Sequence, residues 1–495
     1  MTVTLVVTIA GIVLIGAAGF YGRRNPSQDL AEWTVGGRRF GAVTMWFLQA
    51  GEVFTTFTFL GMAGLAFTGG VAALYAMPYV PLGYIGLYFL APRVWRLGKD
   101  RDYLTQADFL ADRYGSRRLG TLSAVLGVVF LLPYLQLQIT GIGLIVRLVT
   151  GDAASGTWSM VLGTVLTVAF VLWSGIRGVA TASYLKDFLM IVTLAALVVV
   201  VPVAVAGGIP DMFGEIARTQ PEKLTVEWAG EFGKSFFFTS MLASAIGVLF
   251  LTLPHQWPMV LSARNPDVLR KNYTYLPLYQ IAIAFPMVIG LAAVLIADSL
   301  PSHAVSNEGN GILLALSART LPDWMVGVIA VAGAATAMVP AAGIVIGMSS
   351  LITRNIVRTG SERTKVRINH VTVVVACVLA LGLGLARPDL LANLLLLTFS
   401  GLDQLAPAIA LGLLGRRLVG VVPVVCGIAV GEAVVVWATF TDVNLMHINE
   451  GIVGLAANIV TVAVAAFVER GLGRSPAGPA GSAGPEARSE VPAAD

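Results

Sequence analysis

Thirteen long apolar segments constrain this chain more than any other feature of its sequence. A helix needs roughly 17–25 mostly apolar residues to cross a hydrocarbon core about 30 Å thick. The segments occupy residues 2–20, 43–67, 71–95, 119–149, 158–175, 185–207, 236–261, 276–297, 323–352, 370–386, 389–414, 418–440 and 450–468. Because the membrane core offers no water to backbone groups, segments that cross it must be helical. With 12% charged residues and a mean hydropathy of +0.81, the sequence predicts an all-α membrane protein with about thirteen transmembrane helices.

The basic residues alternate along the chain in a way that orients these segments. If the N-terminus is outside, most of the 32 Lys and Arg residues fall in cytoplasmic loops and the C-terminal tail. The outer connections hold only Arg147, Arg218, Lys223, Lys234, Arg319 and Arg387. Cytoplasmic loops are enriched in Lys and Arg, so we predict an outer N-terminus and a cytoplasmic C-terminus. The sequence pI of about 9.1 is therefore a consequence of topology and does not indicate nucleic-acid binding.

Residues 1–470 are predicted to form one transmembrane domain in the cell membrane. Residues 471–495 are rich in Pro, Gly, Ala and Ser and cannot bury a core, so we expect a disordered cytoplasmic tail. The topology allows two five-helix repeats of opposite orientation, at about 43–207 and 236–414. Such inverted repeats are the usual build of secondary transporters. The sequence does not indicate an oligomeric state.

The sequence contains none of the motifs that identify common enzymes. HExxH, GxSxG, a Gly-rich loop ending in Lys-Ser/Thr and clustered metal ligands are all missing from it. We therefore predict no catalytic residues and no enzymatic cofactor. A membrane transporter is favoured over an intramembrane enzyme, and over a sensor that shares the transporter fold, because no output domain follows the last apolar segment.

Three carboxylates fall well inside the predicted spans: Glu52, Asp403 and Glu432. A charge at mid-membrane costs at least about 2.5–3.5 kcal/mol, so each needs a partner, a proton or a function. For Glu52 a functional role is favoured, because Thr55 and Thr56 follow at the i+3 and i+4 positions, on the same helix face. For Asp403 and Glu432 a structural role is favoured, and the residues around Asp403 predict a broken or kinked helix. No Lys or Arg is predicted at mid-membrane.

Further polar residues interrupt two other apolar segments. The fourth segment carries Gln136 and Gln138, and in the seventh Pro254 and Pro258 bracket His255, so that helix must be disturbed. The residues expected to contact a solute are Thr55, Thr56, Thr58, Gln136, Gln138, His255 and Trp257. The alternatives are that the amides join helices, that His255 caps a helix end, and that the threonines bond to their own backbone.

Several motifs, taken in order, resemble the sodium:solute symporter family. They are "WTVGGRRFG", "FLGMAGLAFTGG", "YLTQADFLADRYGS" and "WSGIRGVATASYLKDFLMIV", and the resemblance extends over roughly residues 30–415. It implies the leucine-transporter fold with its inverted five-helix repeats, and cation-coupled transport of a small solute. The stretches "GEVFTTFTFLG", "LPHQWPMVLSARNPDVLRKNYTYLPLYQ" and "ATAMVPAAGIVIGMSSLITRNI" resemble the bacterial monocarboxylate permeases of that family. This branch implies uptake of carboxylates such as pyruvate, lactate, acetate or propionate, with an amino acid, vitamin or sugar as the alternative solute.

The resemblance also implies where a coupling cation would bind. In sodium-coupled members, backbone carbonyls of the second segment and two adjacent hydroxyls of the ninth hold one sodium ion. The carbonyl positions fall on Gly51 and Phe54, and the hydroxyl positions fall on Val339 and Pro340. Neither of the last two side chains supplies an oxygen ligand, and hard cations require several. We therefore predict that Glu52 binds the coupling cation, which is Na+ or H+.

Overall fold

The computed structural model consists of helices joined by turns and loops in the residues that it describes. These are residues 2–22, 29–150, 153–305, 309–357, 361–386, 391–414, 418–441, 443 and 445–473. Among them no β-strand occurs, and the isolated β-bridge joins Phe40 to Ala263. The predicted all-α fold is confirmed. The predicted tail lies outside the described residues from position 474 onward.

Twenty-two α-helices lie in the described part of the chain. The first eleven are α1 (Thr2–Tyr21), α2 (Leu30–Val35), α3 (Ala42–Val53), α4 (Met62–Gly69), α5 (Ala76–Asp100), α6 (Gln106–Tyr114), α7 (Arg117–Thr150), α8 (Ala153–Ser174), α9 (Ile176–Ala206), α10 (Ile209–Thr219) and α11 (Lys234–Leu249). The others are α12 (Gln256–Leu261), α13 (Pro266–Gln280), α14 (Ala284–Val294), α15 (Ser302–Val305), α16 (Ile312–Thr320), α17 (Asp323–Leu351), α18 (Glu362–Ala386), α19 (Leu391–Leu402), α20 (Ala406–Leu413), α21 (Val421–Phe440) and α22 (Glu450–Gly471).

Eleven helical stretches in the described residues are long and apolar enough to cross a membrane. One of them, 57–100, contains a 3-10 turn at Gly70–Tyr75 between two apolar helices. Helix α11 is apolar but shorter than the others. The count of thirteen crossings and the orientation of the termini stay predictions.

Helix α17 forms the centre of the bundle. Its apolar stretch is completely buried, and it packs against α1, α7 and α9. Its sequence, "GVIAVAGAATAMVPAAGIVIG", is rich in Gly and Ala, and such small residues allow neighbouring helix backbones to approach closely. Helices α3, α7 and α9, which carry buried polar residues, therefore lie directly against this central helix.

Two predicted spans are interrupted near their middle. Helix α3 ends at Val53, Phe54 is extended, and the chain resumes through a π-helical turn at Phe57–Gly61. Helix α11 ends at Leu249, and α12 begins only at Gln256. The disturbance predicted around Pro254 and Pro258 is thus confirmed. In the first interruption, the Thr55 hydroxyl accepts from the backbone N–H of Phe57 (3.2 Å) and so replaces a helical bond.

A third interruption separates α19 from α20. Residues Asp403–Leu405 form a 3-10 turn there, so the broken or kinked helix predicted at Asp403 is confirmed as a local change of helix type. By contrast, the predicted start of the sixth span at residue 185 is wrong, because α9 begins at Ile176. Gly175, with φ of +54°, separates α8 from α9. Polar residues in the first half of α9 form ion pairs, as at the partly exposed Arg177, which pairs with Glu32 (2.7 Å).

Candidate solute and cation site

The interruptions in α3–α4 and α11–α12 meet at a buried pair of ionisable side chains. Glu52 lies in the last turn of α3, and His255 precedes the first residue of α12; they are 4% and 1% exposed. The Nε2 atom of His255 hydrogen-bonds to Oε1 of Glu52. The Tyr134 hydroxyl of α7 donates to the same oxygen over 3.5 Å. The pair joins two segments that are 203 positions apart in the sequence, one from each predicted repeat.

Glycines of α17 make room for this pair. A Cβ on Gly343 would lie 3.4 Å from Oε2 of Glu52 and 2.7 Å from Cε of Met259. A Cβ on Gly347 would lie 2.5 Å from Cβ of His255 and 2.6 Å from its Cα. Because real Cβ atoms do not come closer than about 3.0 Å to a backbone, only glycine at position 347 permits this approach.

The threonines after Glu52 and one glutamine bond to the interrupted backbone of α3–α4. The Thr58 hydroxyl donates to the carbonyl of Val53 (3.2 Å), and Oε1 of Gln138 accepts from the N–H of Thr56 (3.2 Å). Thr55, as described above, accepts from Phe57. The structure therefore brings Thr55, Thr56, Thr58 and Gln138 together at the same break.

Several polar atoms around the break keep unused hydrogen-bonding capacity. Among the described residues, no partner lies within hydrogen-bond distance of Oε2 of Glu52, Oγ1 of Thr56, Nε2 of Gln138 or Nδ1 of His255. Buried polar groups are normally paired with protein or water, so four such atoms near one place indicate a site that receives a polar ligand. Thr56 and Gln138 offer donors, and Glu52 offers an acceptor.

Two predicted solute contacts lie away from this cluster. Gln136 lies two residues before Gln138 on α7, so its side chain points about 200° away around the helix axis. It packs towards α18, where a Cβ added to Gly384 would lie 3.9 Å from Cγ of Gln136. Trp257 is fully buried, and its indole N–H donates to the carbonyl of Leu251 (2.8 Å). Its ring packs on Phe109 with centroids 5.3 Å apart. Both side chains therefore have structural contacts of their own, and Trp257 holds the α11–α12 break in shape.

A buried ion pair that the sequence prediction missed lies beside the α3 break. Lys186 and Asp187 of α9 are both fully buried, and Nζ of Lys186 lies 2.8 Å from Oδ1 of Asp187. The Tyr279 hydroxyl donates to the same carboxylate oxygen (2.9 Å). The expectations of only three interior acids and no interior Lys or Arg are therefore wrong. The adjacent Lys and Asp in "SYLKDFL" are the available signal, but they are the second and third residues of the span predicted from 185 and so count as its edge and not its interior.

Two of the four predicted cation positions lie at the C-terminal end of α3, and the other two lie on α17, which packs against it. The carbonyl of Gly51 accepts a hydrogen bond from Nζ of Lys186 (2.9 Å). Phe54 is extended and fully buried, and its ring packs on Tyr279 with centroids 4.4 Å apart. Val339 and Pro340 are buried on α17, one turn before Gly343 and thus on the face that meets Glu52. Their side chains carry no oxygen, so the sodium ligand set that the resemblance implied is incomplete.

The other two interior acids have different environments. Asp403 is fully buried, and its Oδ1 accepts from the Thr252 hydroxyl (3.1 Å), which belongs to the α11–α12 break. Glu432 on α21 is partly buried, and neither carboxylate oxygen has a hydrogen-bond partner among the described residues. Asp403 therefore supports the second break, whereas no side-chain hydrogen bond within the described part of the chain links Glu432 to either break.

The space next to Glu52 is small. A cavity of about 30 Å³ is lined by Gln49, Glu52, Val53, Tyr84, Leu87, Val248, Leu251, Gln256, Met259 and Tyr273. Such a volume holds about one water molecule. A larger cavity, about 750 Å³, lies near α10 and is lined by Asp211, Glu215 and Gln220 among others, but none of the polar atoms of the two breaks lines it. The site at Glu52 is therefore closed in this conformation.

Comparisons with known proteins agree with this architecture. The model of the sodium:solute symporter family matches residues 33–418. An uncharacterized symporter of Bacillus subtilis, YhjB, is 33% identical over 95% of this chain and 98% of its own length. A monocarboxylate transport permease protein of Rhizobium johnstonii is 26% identical over 71% of this chain and 70% of its own.

Solved structures show the same fold at low sequence identity. A Na+-coupled sialic acid symporter in its substrate-bound outward-open state superposes with a TM-score of 0.77 at 16% identity, over 94% of this chain and 98% of that one. The nucleobase-cation-symport-1 family transporter MHP1, closed around bromovinylhydantoin, superposes with a TM-score of 0.55 at 16% identity, over 90% and 96%.

The match of the sodium:solute symporter model to residues 33–418, and the 33% identity to a symporter over 95% of this chain, define a membrane transporter and not an enzyme. The chain belongs to the sodium:solute symporter family. It is a multi-pass protein of the plasma membrane.

Proposed function

We propose that the protein imports small monocarboxylates by cation-coupled symport with alternating access. The Glu52–His255 pair is the coupling centre, and Thr56 and Gln138 bind the solute carboxylate. The N-terminus is outside and the C-terminus is cytoplasmic. Thirteen crossings result if 57–100 crosses twice and α11 crosses once. The single observation that carries the proposal is the buried Glu52–His255 contact between the two helix breaks.

The chemistry of this centre favours a solute anion that arrives with a cation. A carboxylate that enters beside Glu52 meets a like charge in a region of low dielectric, where repulsion is strong. A cation bound at Glu52 removes that repulsion, so each ligand promotes binding of the other. Import of a monoanion against a negative interior costs about 2.3 kcal/mol per 100 mV, and one accompanying positive charge cancels this cost.

Unused donors support the choice of a carboxylate as solute. The Thr56 hydroxyl and the NH2 group (Nε2) of the Gln138 amide have no partner among the described residues, and a carboxylate accepts hydrogen bonds from both. Lys186, the buried cation nearby, is already paired with Asp187. The relative named as a monocarboxylate transport permease supports the same solute class.

The size of the site supports alternating access. A cavity of about 30 Å³ excludes even a two-carbon acid, so the helices around the breaks must move to admit the solute. Non-helical backbone at both breaks supplies the points where such movement occurs without loss of whole helices.

The test is uptake of labelled pyruvate into proteoliposomes that contain the purified protein, with protein-free liposomes as control. We expect uptake that unlabelled lactate, acetate and propionate inhibit, and that proline, pantothenate and glucose do not. Inhibition by one of the latter three alone would indicate the alternative solute classes. Binding of the acids without accumulation would indicate a sensor.

A further inference from the structure

The break in α3 already contains a cation that belongs to the protein. The ammonium group of Lys186 donates to the carbonyl of Gly51 over 2.9 Å and contacts the carboxylate of Asp187 over 2.8 Å. Both side chains are completely buried. The carbonyl of Gly51 is available because the helix ends at Val53, before an N–H four residues later can reach it.

Neighbouring residues of α3, α9 and α13 fix the positions of Lys186 and Asp187. Gly51 lacks a Cβ, and one placed there would lie 2.6 Å from Oγ of Ser183, so α9 approaches α3 closely at this point. The Tyr279 hydroxyl fixes the Asp187 carboxylate from α13. The Ser183 hydroxyl donates to its own helix, to the carbonyl of Val179 (2.8 Å), and so does not compete for Gly51. The ammonium group thus lies in a prepared position and not at a flexible surface.

The same carbonyl is one of the sodium ligands that the family resemblance implies. A sodium ion there fails to fit for two reasons. Val339 and Pro340 supply no side-chain oxygen, and of the two implied backbone carbonyls, at Gly51 and Phe54, that of Gly51 is occupied by an ammonium group. Sodium next to Lys186 would also place two cations within a few ångströms of each other in a buried region, which is unfavourable.

We propose that the Lys186 ammonium takes the place of sodium at the Gly51 carbonyl and thereby sets the cation specificity of the protein. The bond to Gly51 gives the broken helix the positive charge that a bound ion supplies elsewhere in the family. Any sodium that the protein binds is then held at another position. This role of Lys186 refines the proposed function, and only its effect on solute uptake rests on that function.

The proposal predicts that removal of Lys186 creates a sodium site. In Lys186→Ala the buried Asp187 carboxylate loses its counter-charge, and the Gly51 carbonyl loses its donor. Sodium can then enter the vacated space and pair with both. We expect Lys186→Ala to bind one more ²²Na+ per protein than the wild type. We also expect sodium to raise its thermal unfolding temperature by a few °C more than that of the wild type, at constant ionic strength with choline as replacement. Lys186→Arg, which keeps a positive charge, should behave like the wild type.

Equal ²²Na+ binding by wild type and folded Lys186→Ala would overturn the proposal. Should Lys186→Ala not fold, Asp187→Asn and the wild type decide. Wild-type sodium binding that disappears in Asp187→Asn would place sodium at this position and overturn the proposal. The proposal would be supported if the wild type binds no sodium, or if its sodium binding is unchanged in Asp187→Asn. These measurements need no solute, so they stand even if pyruvate uptake fails and the proposed function is wrong.

Discussion

Substitution of Gly347 by Ala should displace His255 from Glu52. The added Cβ would lie 2.5 Å from Cβ and 2.6 Å from Cα of His255, and 3.0 Å from its backbone nitrogen. The nearest distance is about 1 Å shorter than an ordinary carbon–carbon contact. Because two of these atoms are backbone, no rotation of a side chain relieves the overlap, and the segment before α12 must move by about that distance away from α17.

The magnitude follows from two opposing effects. Overpacking of this kind costs about 1–3 kcal/mol of unfolding free energy. Replacement of Gly by Ala inside a helix returns about 1 kcal/mol. A matched control is Gly382→Ala in α18, an exposed helical position where a new Cβ meets nothing within 4 Å. The two variants share the helix effect, so their difference, about 1–3 kcal/mol, reports the overlap at His255 alone.

Two assays read this difference. Thermal unfolding of the purified variants should give a lower midpoint for Gly347→Ala than for Gly382→Ala. Uptake should fall by about tenfold or more in Gly347→Ala, since a misplacement of about 1 Å at a reacting centre has effects of that size, and should be unchanged in the control. Equal stability and equal uptake in the two variants would refute the packing of His255 against α17 and its role in transport.

Three further predictions concern single contacts. Thr252→Val should lower the unfolding free energy by about 1–3 kcal/mol, because Asp403 loses its hydroxyl donor. Thr252→Ser keeps a hydroxyl and should retain most of the wild-type stability. Equal midpoints for the two variants in thermal unfolding would contradict this prediction. Thr56→Val should raise the KM for pyruvate by about tenfold or more with little change in stability, since this hydroxyl has no partner in the closed site among the described residues; an unchanged KM would remove Thr56 from the solute site. Burial acts to raise the pKa of Glu32, but hydrogen bonds and the charge of Arg177 outweigh it and hold that pKa below 4.5, so the ion pair stabilises the protein above this pH. Glu32→Gln should therefore be less stable by up to about 1 kcal/mol at pH 7, with the difference lost as the pH falls below 4.5; a difference that persists in acid would refute the ionic origin.

The sequence was sufficient to predict the features that depend on local chemistry. Pro254 and Pro258 cannot both lie in a regular helix, and the break between α11 and α12 was expected for that reason. The group of polar residues at Asp403 likewise indicated an interruption. The sequence indicates a role for Glu52 because a carboxylate in an apolar segment needs a partner. Its partner, His255, was identified only as a candidate, because a contact across 203 positions leaves no local pattern.

The errors also have physical causes. Apolarity places the start of the sixth span at residue 185, whereas α9 begins at Ile176 and holds Lys186 and Asp187 in the interior as an ion pair. With a start at residue 185, Lys186 and Asp187 fall at the edge of the predicted span and not in its interior. Gln136 and Gln138 looked equivalent as amides in one segment, but residues two apart on a helix point in nearly opposite directions. Only the packing of α7 shows which of them meets the α3 break.

The measurement that tests the central claim most directly is pyruvate uptake by wild-type and Glu52→Gln proteoliposomes, under a sodium gradient alone and under a proton gradient alone. A matched control is Glu222→Gln, which changes an exposed glutamate outside both breaks. We predict that one of the two gradients drives accumulation in the wild type and the control, and that Glu52→Gln abolishes it; the effective gradient also identifies the coupling ion. Accumulation by Glu52→Gln at the wild-type rate under the same gradient would contradict the account.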